Sequence, residues 1–228
     1  MKLSLVLLYL VIIAGFFYLG LQTELPVKTQ MIEKETIVYT VLEKPTNTTV
    51  EVSAFPSNAV TVYGIGVFRD TDTGRLVPID VGLADGTGNT YIDVRANVFG
   101  KTFQDSLRII RQVVARETNQ DISRKDIFIK VQAPELSIEG ESGSVEIALG
   151  LYSLIENKPL RESTIVSGTL QEDGSITMVE ALETKVQVLE NLGVKRFLYP
   201  ATQKLPDNGF SIETIPIKNF SEAVKQSF

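Results

Sequence analysis

The sequence contains neither cysteine nor histidine among its 228 residues. Without cysteine the chain has no disulfide, no thiol nucleophile and no thiolate-bound zinc. Without histidine it lacks the commonest general base and the commonest zinc ligand, and a Ser-His-Asp triad is impossible. A hydrolytic site in this chain therefore needs a lysine, a carboxylate or a terminal amine as its base. We expect no metal and no other cofactor.

Positive charge is also scarce. The formal net charge is −6, and no run of Lys and Arg exceeds two residues. Proteins that bind nucleic acid usually present a basic face, so we expect no nucleic-acid partner. No Gly-x-x-x-x-Gly-Lys-Ser/Thr loop occurs in the sequence, so we also expect no ATP hydrolysis by this chain.

Residues from Leu3 to Leu21 form an uncharged and mostly apolar run. At ~1.5 Å per residue, a helix of this length spans the ~30 Å hydrocarbon core of a bilayer. A signal peptide is the alternative, but no small-x-small cleavage site follows the run. The sequence therefore predicts a transmembrane anchor over 1–21 and a single-pass protein of the cell membrane. Lys2 precedes the anchor, which favours an extracytoplasmic position for the rest, although the lysine counts on its two sides hardly differ.

The rest of the chain divides into a predicted stalk and a main domain. Residues 22–58 predict a stalk with strand character, because two β-branched segments flank a Pro-Thr-Asn turn. Residues 59–228 combine strand and helix patterns, which predicts an α+β domain with mixed sheets. Strands are expected at 60–67, 76–83, 91–98, 127–131, 165–166, 196–199 and 212–217, and helices at 103–117, 144–155 and 182–192.

Ser142 lies in a stretch of small and acidic residues directly before the second of these helices. Small residues let the backbone turn sharply there, and the serine then lies at the helix N-terminus. Free backbone N–H groups and the positive end of the helix dipole are found at that position and can stabilise an oxyanion. Taken alone, the same pattern also fits an ordinary Ser/Gly cap with no catalytic role.

Two blocks of the sequence resemble the proteolytic domain of the Lon proteases. The segment EGESGSVEIALGLYSLIENKPL at 139–160 resembles the nucleophile helix of that family, and its acidic-Gly-acidic-Ser start is closest to the archaeal membrane-bound branch. The segment VSGTLQEDGSITMVEALETKVQVLENLGVKRFLYP at 166–200 resembles the block that carries the catalytic lysine. The resemblance covers roughly Ala59 to Pro200 and implies a Lon proteolytic-domain-like fold.

By this resemblance, Ser142 matches the nucleophile and Lys185 matches its general base. These residues are 43 positions apart, as the family spaces them. The supporting positions carried over with them are Ser167, Glu139, Gly140 and Gly143. Of these, Ser167 matches a hydroxyl residue that hydrogen-bonds the lysine, and Glu139 matches an acidic position of the serine block.

The chemistry of Lys185 agrees with the absence of histidine. A serine hydroxyl needs a base to become a useful nucleophile. An amine with a pKa near ~10.4 in water becomes a base at lower pH when an apolar environment disfavours its ammonium form. Val186, Val188 and Leu189 place apolar side chains beside Lys185. We therefore expect this lysine to be buried and Ser167 to orient its amine.

The chain departs from the family pattern at two places. Glu180 and Ala181 stand where the family often has Gly-Gly before the lysine helix, and Glu141 stands where it has Pro or Asp before the serine. An additional carboxylate close to Lys185 would favour the ammonium form and lower activity.

The resemblance implies a serine endopeptidase that acts on peptides or unfolded proteins and assembles as a homo-oligomer. The apolar run at Leu3–Leu21 adds membrane anchoring to this prediction, and the missing phosphate-binding loop adds independence from ATP. The alternative is an inactive Lon-like pseudopeptidase that serves as a membrane-tethered binding or assembly module. A signal-peptidase type of Ser/Lys enzyme would need a Ser-Met-x-Pro-like block after the anchor, and the sequence contains none.

Overall fold

The computed structural model describes residues 37–41, 48–52, 55–68, 73–93, 98–99, 101–132, 137–138, 141–206 and 209–228. The described residues form groups of strands separated by single helices, and the sheets contain both parallel and antiparallel pairs. The predicted α+β class with mixed sheets is therefore confirmed.

The strands are short except for two long neighbours near the start of the main domain. In chain order they are β1 Ile37–Val41, β2 Thr48–Val52, β3 Ala59–Phe68, β4 Thr73–Asp85, β5 Thr90–Asp93, β6 Val98–Phe99, β7 Lys125–Val131, β8 Ser137–Ile138, β9 Thr164–Val166, β10 Thr169–Leu170, β11 Ile176–Thr177, β12 Arg196–Pro200 and β13 Glu213–Ile217. The helices are α1 Lys101–Thr118, α2 Ser144–Glu156, α3 Leu182–Asn191 and α4 Phe220–Ser227.

The largest sheet has six strands in the order β2-β1-β5-β7-β4-β3. All of its pairs are antiparallel except β5 with β7. A second, parallel sheet has the order β13-β12-β9. The two-stranded pairs β10-β11 and β6-β8 complete the sheets of the described residues.

Helix α2 lies at the centre of the main core. Its residues from Ser144 to Ser153 are all buried, because the helix packs against α1 on one side and against β3 and β4 on another. A helix that is apolar around most of its circumference is typical of such a central position. One acidic residue, Glu146, interrupts the apolar surface of α2.

A second apolar cluster holds α3 against the parallel sheet. Val186 and Leu189 of α3 are fully buried together with Phe197 of β12, and Ile165 of β9 contributes to the same cluster. This packing directs one face of α3 toward the interior. Lys185 belongs to that buried face.

Most predicted elements agree with the observed ones to within a few residues, but some differ. The predicted strand at 91–98 is confirmed over 91–93 by β5, and Val98 belongs to β6, which pairs with β8, whereas 94–97 lie outside the described residues. Helix α4 was not predicted. The segments β1 and β2 fall within the predicted stalk, and β1 pairs with β5 through Tyr39 and Asp93.

The predicted anchor, Leu3–Leu21, lies outside the described residues. Among the helices of the described part of the chain, none is long and apolar enough to cross a membrane.

Candidate active site

The turn before α2 presents Ser142. Glu141, Ser142 and Gly143 form the turn, and the backbone N–H of Ser144 donates to the carbonyl of Glu141 at 2.9 Å. The N–H of Ile147 donates to the carbonyl of Gly143 at 3.3 Å, so the helical hydrogen bonds begin one residue after the serine. Ser142 is half-buried at the helix start.

The segment that follows β9 fixes this turn from the other side. The backbone N–H of Ser167 donates to the carbonyl of Leu198 at 3.0 Å, and the N–H of Gly168 donates to the carbonyl of Ser142 at 3.0 Å. Gly168 has no room for a side chain, because an added Cβ would lie 2.5 Å from Ile176 Cγ2. A glycine at 168 therefore permits the close approach that positions Ser142.

Ser144 strengthens the same connection. Its side chain is buried, and its Oγ donates to the carbonyl of Gly168 at 3.2 Å and accepts the N–H of Leu170 at 2.8 Å. The start of α2 is thus joined to the β9–β10 connection by both backbone and side-chain bonds. This role was not predicted, since a serine at the start of a helix usually caps that helix.

Lys185 reaches the same place from α3. Helix α3 begins after Ala181, whose backbone is left-handed at φ 53° and ψ 41°, and the N–H of Lys185 donates to the carbonyl of Ala181 at 2.9 Å. Only 4% of Lys185 is exposed. Its Nζ donates to Ser142 Oγ at 3.1 Å and to Ser167 Oγ at 2.9 Å. Ser167 Oγ in turn donates to the carbonyl of Ser142 at 3.2 Å.

Burial is the main influence on the charge of Lys185. Removal from water lowers the pKa of its amine, whereas the negative charges of Glu146 and Glu180 act in the opposite direction and raise it. Burial has the larger effect, because an ammonium ion loses most of its hydration in an apolar site. At a given pH, a larger fraction of Lys185 is therefore in the uncharged amine form than of an exposed lysine.

Glu146 is a buried acidic group whose charge acts on Lys185. Burial raises the pKa of its carboxyl well above the usual value, and its own backbone N–H and the charge of Lys185 oppose that rise. Neither carboxyl oxygen has a hydrogen-bond partner among the described residues, so the effect of the N–H is electrostatic rather than a well-formed hydrogen bond. Glu146 was not predicted as a site residue. The signal available in the sequence was a single carboxylate within an apolar helix.

A cleft of about 580 Å³ is lined by Glu146, although Ser142, Ser167 and Lys185 are not part of its wall. Helix α2 contributes Glu146 and Leu149 to its wall, and β3 contributes Val62 and Tyr63. The segment 160–166, which includes β9, forms much of the opposite wall.

The structure brings together three of the predicted site residues and leaves others apart or undescribed. Ser142, Lys185 and Ser167 are hydrogen-bonded to one another as given above. Gly143 adjoins the serine in the turn, and no atom of the described residues lies within 4 Å of a Cβ built on it. Glu139 and Gly140 lie outside the described residues. No group of three or more Asp and Glu side chains in the described part of the chain is arranged to hold a metal ion.

Comparison with known proteins finds similarity to Lon proteases. An archaeal Lon protease of Thermococcus kodakarensis is 23% identical over 170 residues, which are 72% of this chain and 27% of the relative. An archaeal Lon protease of Thermoplasma acidophilum is 27% identical over 175 residues, which are 74% of this chain and 26% of the relative. The peroxisomal Lon protease homolog 2 of Caenorhabditis elegans is 24% identical over 153 residues, which are 65% of this chain and 19% of the relative.

A family model described as subunit ChlI of Mg-chelatase also matches residues 93–203. The chain spans about a quarter of the length of the archaeal relatives. Its homology to archaeal Lon proteases extends over roughly 70% of its own length. The chain is therefore distantly similar to the Lon proteases over most of its own length.

Proposed function

We propose that this chain is a serine peptidase in which Ser142 is the nucleophile and Lys185 is its general base. One observation carries the proposal: the buried amine of Lys185 lies 3.1 Å from Ser142 Oγ. That distance lies within the ~2.6–3.2 Å range that proton transfer between a nucleophile and its base requires. Ser167 Oγ, 2.9 Å from the same amine, holds it in place.

In the proposed reaction the free amine of Lys185 accepts the hydroxyl proton of Ser142 as Oγ attacks the carbonyl carbon of a peptide. The tetrahedral intermediate collapses when the ammonium of Lys185 gives that proton to the leaving amine. An ester between Ser142 and the acyl half of the substrate remains. Water, deprotonated by the same amine, then hydrolyses the ester and restores the serine.

The start of α2 supplies the electrostatic part of the proposal. Negative charge develops on the former carbonyl oxygen, and backbone N–H groups at a helix N-terminus stabilise such a charge. Gly143 lies at this point, and the described residues leave open space beside it. An extended peptide therefore has room to approach Ser142 from that side.

The remaining parts of the proposal come from the resemblance and the distant homology. The fold is that of a Lon proteolytic domain. The substrates are peptides or unfolded proteins. Hydrolysis by this chain does not use ATP, because the chain has no phosphate-binding loop of the Gly-x-x-x-x-Gly-Lys-Ser/Thr type. The chain forms homo-oligomers, and Leu3–Leu21 anchors it in the membrane with the peptidase domain outside the cytoplasm.

A second candidate function is a pseudopeptidase that binds peptides without cleaving them. The observation that favours it is the pair of carboxylates, Glu146 and Glu180, that raise the pKa of Lys185 against the effect of burial. If they prevail, the lysine stays an ammonium and donates a hydrogen bond to Ser142 Oγ without being able to accept its proton.

The test is labelling with a fluorophosphonate probe, which phosphonylates an activated serine and releases fluoride. We expect the full chain to be labelled at Ser142, and Ser142→Ala and Lys185→Met to lose the label. Ser123→Ala and Lys195→Met are matched controls, because both residues are exposed and lie outside the site. They should be labelled like the unchanged chain.

Absence of labelling across the pH range in which the chain stays folded would contradict the peptidase and favour the binding module. Labelling that survives Lys185→Met would contradict the role of the lysine.

The anchor has its own test, which is extraction of membranes with alkaline carbonate. The full chain should stay in the membrane pellet, and a variant without residues 3–21 should be released.

A further inference from the structure

The least satisfied side chain in the described part of the structure is that of Glu146. Only 3% of the residue is exposed, and neither of its carboxyl oxygens has a hydrogen-bond partner there. An ionised carboxyl in such a place is strongly disfavoured unless an opposite charge compensates it. The position of Glu146 therefore calls for a physical explanation.

The surroundings of Glu146 contain one buried cation. Lys185 of α3 interacts electrostatically with it. Along the cleft that Glu146 lines, the other titratable or charged groups are Tyr63 of β3 and the exposed pair Arg161 and Glu162 before β9. The buried faces of α1, β4 and α4 that pack against α2 carry no ionisable side chain among the described residues. Lys185 is thus the buried partner of opposite charge.

Position along α2 connects this carboxyl with the proposed reaction. Glu146 lies in the first turn of α2, four residues after Ser142, which belongs to the turn before that helix. Lys185 contacts Ser142 Oγ directly. Both ionisable groups are buried, and electrostatic interactions between buried groups are stronger than in solvent.

We propose that Glu146 is a positioning residue for Lys185: the two buried groups together carry one proton, which lies on either the carboxyl or the amine, and they act on each other through charge without a direct hydrogen bond. With the proton on Glu146, the amine is free to act as a base. With the proton on Lys185, the carboxylate stabilises the ammonium. The catalytic consequence rests on the proposed peptidase function: when Lys185 takes the proton of Ser142, Glu146 offsets the new positive charge without forming or breaking a bond itself.

The proton sharing can be measured without any peptidase activity. In the full-length chain with isotope-labelled lysine, the pH dependence of the side-chain NMR signals of Lys185 reports its protonation, and Lys185→Met assigns those signals. We expect Glu146→Gln to shift the midpoint of Lys185 to lower pH, since the variant removes a carboxylate that favours the ammonium. Glu146→Asp, which keeps a carboxylate, should restore most of the original midpoint.

The matched control is Glu162→Gln, which removes an exposed carboxylate from the same cleft and should leave the midpoint of Lys185 unchanged. An unchanged midpoint in a folded Glu146→Gln protein would overturn the proposal, because Glu146 would then be a neutral acid throughout. An equal shift in Glu162→Gln would also overturn it, because the effect would belong to the general charge of the cleft.

A kinetic measurement separates this proposal from the proposed function. If the chain hydrolyses peptides, the rise of kcat/KM with pH should move to lower pH in Glu146→Gln, in parallel with the NMR midpoint. If the midpoint shifts but no variant hydrolyses peptides, the proton sharing stands and the peptidase fails. If hydrolysis occurs and neither measurement shifts, the peptidase stands and the role of Glu146 fails.

Discussion

The backbone carbonyl of Ser142 accepts a hydrogen bond from the N–H of Gly168 at 3.0 Å. This bond joins the turn before α2 to the residue that follows Ser167. The two hydroxyl groups that contact Lys185 are thereby held in a fixed relation, although they belong to different parts of the chain. The geometry of the proposed site depends on this close backbone contact as much as on the side chains.

We expect Gly168→Ala to disrupt that contact. The added Cβ would lie 2.5 Å from Ile176 Cγ2 and 3.1 Å from Val145 Cγ2, which forces both apart. Overpacking of this kind lowers the free energy of unfolding by about 1–3 kcal/mol. Urea unfolding measures that loss, and fluorophosphonate labelling of Ser142 should fall as well. Gly143→Ala is the control for stability alone, because its added Cβ meets no described atom and its φ of −93° suits alanine, whereas its place beside the nucleophile makes it unsuitable as a control for labelling. Equal stability of Gly168→Ala and the unchanged chain would contradict the expectation.

Removal of the Ser167 hydroxyl should lower activity while the fold persists. Lys185 Nζ would lose its 2.9 Å partner and keep its contact with Ser142. A hydrogen bond to a charged group contributes about 1.5–3 kcal/mol, which corresponds to a roughly 10- to 150-fold decrease in kcat/KM for Ser167→Ala. Ser167→Thr keeps the hydroxyl and should retain most of the activity. Peptidase assays of both variants, with thermal unfolding to check folding, would reject this role if Ser167→Ala were fully active.

Ala181 is expected to be a point of backbone strain. Its φ of 53° lies in the left-handed region, which costs about 1–2 kcal/mol for a residue with a Cβ. Ala181→Gly relieves this strain, but the greater entropy of glycine in the unfolded chain offsets part of the stabilisation. The substitution should therefore raise the free energy of unfolding by up to about 1 kcal/mol. Ala115→Gly within α1 is the matched control and should lower that energy by about 1 kcal/mol. Equal destabilisation by both changes would contradict the strain at Ala181.

Periodic patterns in the sequence predicted the long elements well. Helix α1 was expected at 103–117 and observed at Lys101–Thr118, and α2 was expected at 144–155 and observed at Ser144–Glu156. Both helices have many apolar side chains at helical spacing, so one residue that departs from the pattern does not hide the helix. Two-residue strands such as β6 and β8 carry no such pattern and arise from tertiary pairing alone.

Helix α4 has a clear N-terminal signal in the sequence, although the helix was not predicted. Its N-cap is Asn219, whose side chain accepts the N–H of Glu222, and the Glu222 carboxyl accepts the N–H of Lys218. An Asn followed by Glu three residues later is a sequence signature of a helix start.

Site residues were predictable only where the family resemblance reached them. Ser142, Ser167 and Lys185 came from the two matching blocks, and their mutual distances could not have come from sequence spacing alone. The roles of Ser144 and Glu146 depend on how α2 packs against the β9–β10 connection and the cleft. Such roles require three-dimensional contacts, and residue type at a helix start indicates only a cap.

Stability should depend on pH through Glu146. Burial raises the pKa of this carboxyl above its usual 4.5, so over the interval between the two values the folded chain keeps a proton that the unfolded chain loses. This proton stabilises the fold fully at low pH, and the contribution disappears as pH rises through the raised value in the folded state. Glu146→Gln has no such proton to lose. Its stability relative to the unchanged chain should therefore increase with pH above about 4.5, by at most about 1.4 kcal/mol per pH unit.

Urea unfolding of both proteins at about pH 4.5 and about pH 7.5 measures this difference in stability. The expected change begins at about the lower pH, and the upper pH lies well above it. The ammonium of Lys185 offsets part of it, since it favours the ionised carboxyl. Glu162→Gln serves as the control, because it removes an exposed carboxylate from the same cleft, and it should differ from the unchanged chain by the same amount at both pH values. If the difference in the free energy of unfolding between Glu146→Gln and the unchanged chain were the same at both pH values, the prediction would be contradicted. The buried carboxyl would then bind its proton no more tightly than an exposed one.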